Sequence, residues 1–104
     1  MSEREVKIEG LRNLAEGEMY SADIDGEPIL LSCVQGQVYA VHGICTHGMG
    51  YLEEGFLDGF NIVCPLHAGS FDVRDGSVTH EPCNTPNKSY PVRISNGEVF
   101  VSLD

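Results

Sequence analysis

The feature that most restricts how this chain can fold is a dipeptide that keeps returning. Asp25-Gly26, Gln35-Gly36, Asp58-Gly59, Asp75-Gly76 and Asn96-Gly97 punctuate short segments rich in Val, Ile, Tyr and Phe. Pairs of this kind accept the positive φ that tight hairpin turns require, so each one directs the chain back antiparallel to itself. Segment 28–34 is expected to pair with 37–42 across Gln35-Gly36, 89–94 with 98–103 across Asn96-Gly97, and 55–57 with 60–63 across Asp58-Gly59. Segment 18–24 alternates Met19, Tyr20 and Ile24 with polar residues, and the only helical hint is a weak turn at 11–15. The expectation is an all-β fold, a small antiparallel sandwich or partial barrel. A length of 104 residues suits one domain with a modest core.

Charge narrows the partners. Sixteen acidic against six basic residues give a formal charge of -10, which argues against nucleic acid and anionic membranes and for basic protein partners. The first twenty residues hold no apolar run fit for a signal peptide, and no stretch is long enough to cross a bilayer. The expected location is the cytoplasm, where cysteines are kept reduced and serve as metal ligands or plain thiols.

Two mixed pairs carry the chemistry: Cys45-x-His47 and Cys64-x-x-His67. The hairpin between them can bring their loops together, so that two thiols and two imidazoles reach one small volume. A donor set of this type suits a tetrahedral zinc or an iron-sulfur cluster, and spacing alone does not choose. Common zinc fingers group like ligands with like, whereas here each loop supplies one of each, a pattern suited to a two-iron centre with thiolates on one iron and imidazoles on the other. A Cys45–Cys64 disulfide would leave both histidines unexplained and needs an oxidising compartment. Cys33, Cys83, His42 and His80 read as ordinary core or surface residues.

The stretch from Cys45 to His67 resembles the Rieske motif, with Thr46 inside the first pair, Gly48 after it, Pro65 after the second cysteine, then Phe71-Asp72 and the Gly76 turn. Pro82 stands where that family has a proline loop, and the hairpin of residues 35–40 resembles its framework strands. Within the family the chain is most similar to the small Rieske-type [2Fe-2S] ferredoxins of bacterial aromatic-ring dioxygenase systems. The resemblance implies one Rieske domain over residues 1–104, with a cluster-binding subdomain at about 43–85 between framework strands in 1–42 and 86–104. It implies that Cys45 and Cys64 hold the inner iron and His47 and His67 the outer, and that Gly48, Gly50 and Gly69 let backbone amides approach sulfide. It also implies a one-electron carrier rather than an enzyme, working as a monomer between an NAD(P)H-dependent ferredoxin reductase and a terminal oxygenase. With only His42 and His80 left over, there is no room for a catalytic iron; a nitrite reductase small subunit and a zinc-stabilised binding module are the alternatives.

Departures from the pattern are informative. High-potential relatives carry a disulfide between the two loops where this chain has Gly50 and Leu66, and hydroxyl donors where it has Gly69 and Phe71. Without those donors, added negative charge is less stabilised, so the potential is expected near the low end of the Rieske range, about -150 mV. Phe71→Tyr is expected to raise it. Asn87 replaces a residue that is usually apolar, which leaves open how its loop packs.

Overall fold

The computed structural model describes residues 5–8, 14–45, 50–65, 69–80 and 85–103. Among them the strands are β1 (Glu5–Lys7), β2 (Met19–Ile24), β3 (Glu27–Val34), β4 (Gln37–His42), β5 (Phe56–Asp58), β6 (Asn61–Val63), β7 (Ser70–Asp72), β8 (Val78–His80), β9 (Ser89–Tyr90), β10 (Val92–Ser95) and β11 (Glu98–Ser102), with one 3-10 turn at Leu52–Glu54. They form three antiparallel sheets in the orders β1-β11-β10, β2-β3-β4-β9 and β5-β6-β7-β8. The fold is all-β, as the turn pairs required.

The β2-β3-β4-β9 sheet is the middle layer. Along β3, Ile29 and Leu31 point to one side and join Ile8, Ile24, Ala40, Tyr90, Val99 and Val101 in a framework core. Leu30 and Val34 point to the other side and join Val41, Cys45, Leu52, Ile62, Cys64, Phe71 and Val73 in a second core. Alternation therefore persists, but both faces of the strand are apolar because both are covered. One consequence is Ser32, on the same side as Leu30, buried with its hydroxyl unpartnered among the described residues.

Three turns have the geometry their composition asks for. Asp25 and Gly26 (φ 54° and 83°), Gln35 and Gly36 (54° and 79°), and Asn96 and Gly97 (53° and 79°) place two consecutive residues at positive φ, as a type I′ hairpin requires. The Asp58-Gly59 turn is displaced by one residue. Asp58 pairs with Asn61, leaving Gly59 and Phe60 as the loop, and only Gly59 has positive φ, at 61°, the glycine-first pattern of type II′. Strand β5 accordingly starts at Phe56 rather than Gly55.

Segment 89–94 is not one strand. Ser89–Tyr90 pairs with β4, whereas Val92–Ser95 pairs with β11. Pro91 sits between them without an N–H to give, and its carbonyl accepts from the Ser102 amide at 2.9 Å, so the chain changes sheets there. Most of the weak turn at 11–15 lies outside the described residues.

The β5-β6-β7-β8 sheet is tied to the middle sheet through Asn87. Its side-chain amide donates to the His42 carbonyl at 2.7 Å, its backbone N–H donates to the Gly76 carbonyl at 2.7 Å, and the His42 N–H donates to the Lys88 carbonyl at 2.9 Å. This explains the polar residue at 87: it is buried, 6% exposed, and its amide satisfies a carbonyl that an apolar side chain would leave bare. Gly76 has φ 79°, and a Cβ there would overlap the Asn87 carbonyl.

Candidate metal centre

Two loops of matching construction begin at the two cysteines. In the first, Ile44 bridges antiparallel to Tyr51, and the Cys45 N–H donates to the Gly50 carbonyl at 2.9 Å. In the second, Val63 pairs with Ser70, and the Cys64 N–H donates to the Gly69 carbonyl at 2.7 Å. Each is a six-residue hairpin loop with cysteine first and glycine last, closed by the cysteine's own amide. In both glycines the carbonyl is engaged in closing the loop. Cys45 and Cys64 are each 2% exposed and belong to the same apolar core.

The surroundings hold these loop bases in place. Leu52, Ile62 and Phe71 are wholly buried beside the cysteines. The Leu52 N–H donates to the Gly43 carbonyl at 2.8 Å, fixing the chain just beyond the first loop. Gly55 lies against the carbonyl of Val63, where any Cβ would overlap it, so the chain leading into β5 packs directly on the base of the second loop.

His47 and His67 fall, in sequence, inside the first and second closures, and both lie outside the described residues, as do Gly48, Leu66, Pro82 and Cys83. Among the described residues no group of three or more His, Cys, Asp and Glu could hold a metal ion. Cys33 is buried in β3, His42 meets the Glu27 carboxylate at 2.7 Å, and His80 is exposed at the end of β8, so none of the three builds a rival site. The donor chemistry fits a two-iron cluster: two buried thiols open two equivalent loops, and each loop carries one histidine in sequence.

Among the described residues, hydroxyl donors are sparse here. Phe71 is wholly buried with no hydroxyl to offer, and the neighbouring Ser70 Oγ is 2.6 Å from Thr79 Oγ1. One cation is locked at the other end of the β6-β7 pair: Arg74 gives Nε (3.0 Å) and its own N–H (2.8 Å) to Asp72 Oδ1 and Nη2 (2.7 Å) to Oδ2, and its guanidinium lies 3.8 Å over the Phe60 ring. The side-chain bonds from Arg74 hold the Asp72 carboxyl below its ordinary value, against an opposing push from burial. The turn pairs gave no signal of this clamp, although the Asp-x-Arg spacing along one strand end could have suggested it.

Residues 4–91 match the family model of the Rieske [2Fe-2S] domain. The chain is 36% identical over 103 residues, 99% of each protein, to the ferredoxin component of a naphthalene 1,2-dioxygenase system from Pseudomonas aeruginosa. It superposes with TM-score 0.87 and 34% identity on the ferredoxin of carbazole 1,9a-dioxygenase from Nocardioides aromaticivorans IC177, over 93% of this chain and 95% of that one. A second solved structure, a complex of reduced oxygenase and oxidized ferredoxin in carbazole 1,9a-dioxygenase, matches with TM-score 0.88 and 34% identity over 94% of this chain and 92% of that one.

Proposed function

The chain belongs to the Rieske [2Fe-2S] domain family, and from that premise we propose that it passes single electrons from an NAD(P)H-dependent ferredoxin reductase to a terminal oxygenase that hydroxylates aromatic rings. It is an electron-transfer component with a Rieske [2Fe-2S] cluster, not a catalytic subunit. Bound to the protein, the cluster supplies reversible one-electron chemistry at a potential raised by imidazole ligation. Cys45 and Cys64 are proposed to hold one iron as thiolates and His47 and His67 the other as neutral imidazoles.

The observation that carries this reading is the equivalence of the two loops. The Cys45 and Cys64 amides are spent on closing them, so each sulfur is presented from a fixed base. The apolar core around both sulfurs keeps water from the thiolates; each histidine follows its cysteine by two or three residues in sequence, and its second ring nitrogen is proposed to meet solvent or a partner. Residues 1–104 are proposed to form a single Rieske domain that works as a monomer in the cytoplasm. Acidic charge is proposed to speed brief encounters with basic partners.

Elemental analysis and an EPR spectrum of the dithionite-reduced protein test the reading. Two irons with two acid-labile sulfides per chain and a signal of the histidine-ligated type are expected. One zinc and no sulfide would overturn it.

A further inference from the structure

Among the described residues the large apolar side chains left in solvent are Tyr51 (48% exposed), Phe56 (60%) and Ile94. Ile94 belongs to the β10 edge of the framework, but the first two stand at the bases of the two loops. Tyr51 is the bridge partner of Ile44, the residue before Cys45. Phe56 is the strand partner of Val63, the residue before Cys64. Between them runs the 3-10 turn, with Leu52 buried beneath and Glu53 and Glu54 exposed above.

This ridge is stiff and anionic. The Gly55 N–H donates to the Leu52 carbonyl at 2.9 Å and the Glu54 N–H to the Tyr51 carbonyl at 3.0 Å, while Leu52 is wholly buried. Between residues 43 and 85 the sequence has six acids, and its only Lys or Arg is Arg74, which is already committed to Asp72. No described cation pairs with Glu53 or Glu54. Exposed aromatics on a rigid backbone, flanked by unneutralised carboxylates, match the composition of contact patches: apolar anchors for affinity, charge for approach and orientation.

We propose that the ridge Tyr51–Glu53–Glu54–Phe56 is a docking surface for the terminal oxygenase, whose complementary face presents apolar recesses for the two rings and a rim of Lys or Arg for the two carboxylates. The proposal rests on the carrier reading above. Because Tyr51 and Phe56 are the antiparallel pairing partners of the residues preceding the two cysteines, a partner seated there is registered to both loops at once.

The test mixes the dithionite-reduced, cluster-loaded protein with the oxidised oxygenase of a naphthalene 1,2-dioxygenase system in a stopped-flow instrument, and titrates the oxidised pair calorimetrically for Kd. F56A and Y51A should each slow the second-order electron transfer and weaken Kd about tenfold, as truncated interface anchors do. The double charge reversal E53K/E54K should slow it by a similar factor at low salt, with the deficit shrinking as salt is added while that of F56A persists. Midpoint potential and EPR signal should not move in any variant, and I94A should behave as wild type. Variants on the ridge that keep wild-type rates and Kd would overturn the docking surface and leave the carrier reading intact. Wild-type protein that loads a cluster yet passes no electron to the oxygenase would overturn the carrier reading, and the docking surface with it.

Discussion

The framework core and the cluster-side core lie back to back on one sheet, yet they are closed by different means. The framework side is sealed by side chains alone, Ile8, Ile29, Leu31, Val99 and Val101, under a covering sheet whose longest strand runs five residues. The other side is covered by strands of three residues each and counts two cysteines among its buried members. Short ladders contribute few hydrogen bonds and little apolar area, so that half needs a further tie between its loops. The difference teaches that the same alternating pattern can build a self-sufficient layer or one that depends on a bound group.

Removing that group should break the comparison most visibly. Cys64→Ser is expected to lower the protection of the Ile62, Phe71 and Asp72 amides by at least about 3 kcal/mol in hydrogen exchange, while Leu31 and Ala40 lose under about 1 kcal/mol. Uniform loss across both halves would show that they unfold as one unit. Next comes the seam between them. Gly76→Ala meets both a positive φ and the Asn87 carbonyl and should cost about 3 kcal/mol in denaturant unfolding. Gly97→Ala has the same φ of 79° with open space around it and should cost only about 1 kcal/mol.

The Asp72–Arg74 clamp predicts a smaller, pH-dependent effect. With its folded pKa held below the ordinary value, Asp72 stabilises the protein fully above about pH 4, and that stability is lost as the pH falls through the folded pKa. Asp72→Asn should therefore cost about 1 kcal/mol at neutral pH, because the guanidinium is half exposed, and the gap to wild type should close in acid. Unfolding curves at pH 7 and in acid that keep the same gap would exclude the clamp as its cause. The smallest change is expected at Ser32, buried and without a partner among the described residues. Ser32→Ala, though it lies in the middle layer, should leave stability unchanged or raise it by up to about 1 kcal/mol, since the hydroxyl it removes is buried without a partner.

Much of this was legible in order along the chain. Positive-φ turns are set by two adjacent residues, so Asp25-Gly26, Gln35-Gly36 and Asn96-Gly97 could be placed from sequence, and the two Cys/His pairs carried the resemblance to the Rieske family that the family match bears out. Segment 89–94 was harder: its alternation continues through Pro91, and only the competition between β4 and β11 for its backbone divides it. Asn87 looked like a defect because its partners, the His42 carbonyl and the Gly76 carbonyl, are remote in sequence. The ridge from Tyr51 to Phe56 was illegible, since an exposed aromatic and a buried one are written with the same letter.

Local chemistry in the chain determined the hairpins and the family, because turn conformation and the spacing of a motif depend on residues close together in sequence. Tertiary structure alone decided which face of β3 meets which core, that both cysteines enter one apolar cluster, and that Gly55 and Gly76 must lack a side chain. Those outcomes follow from excluded volume and from carbonyls brought near by folding, and neither is encoded at any single position.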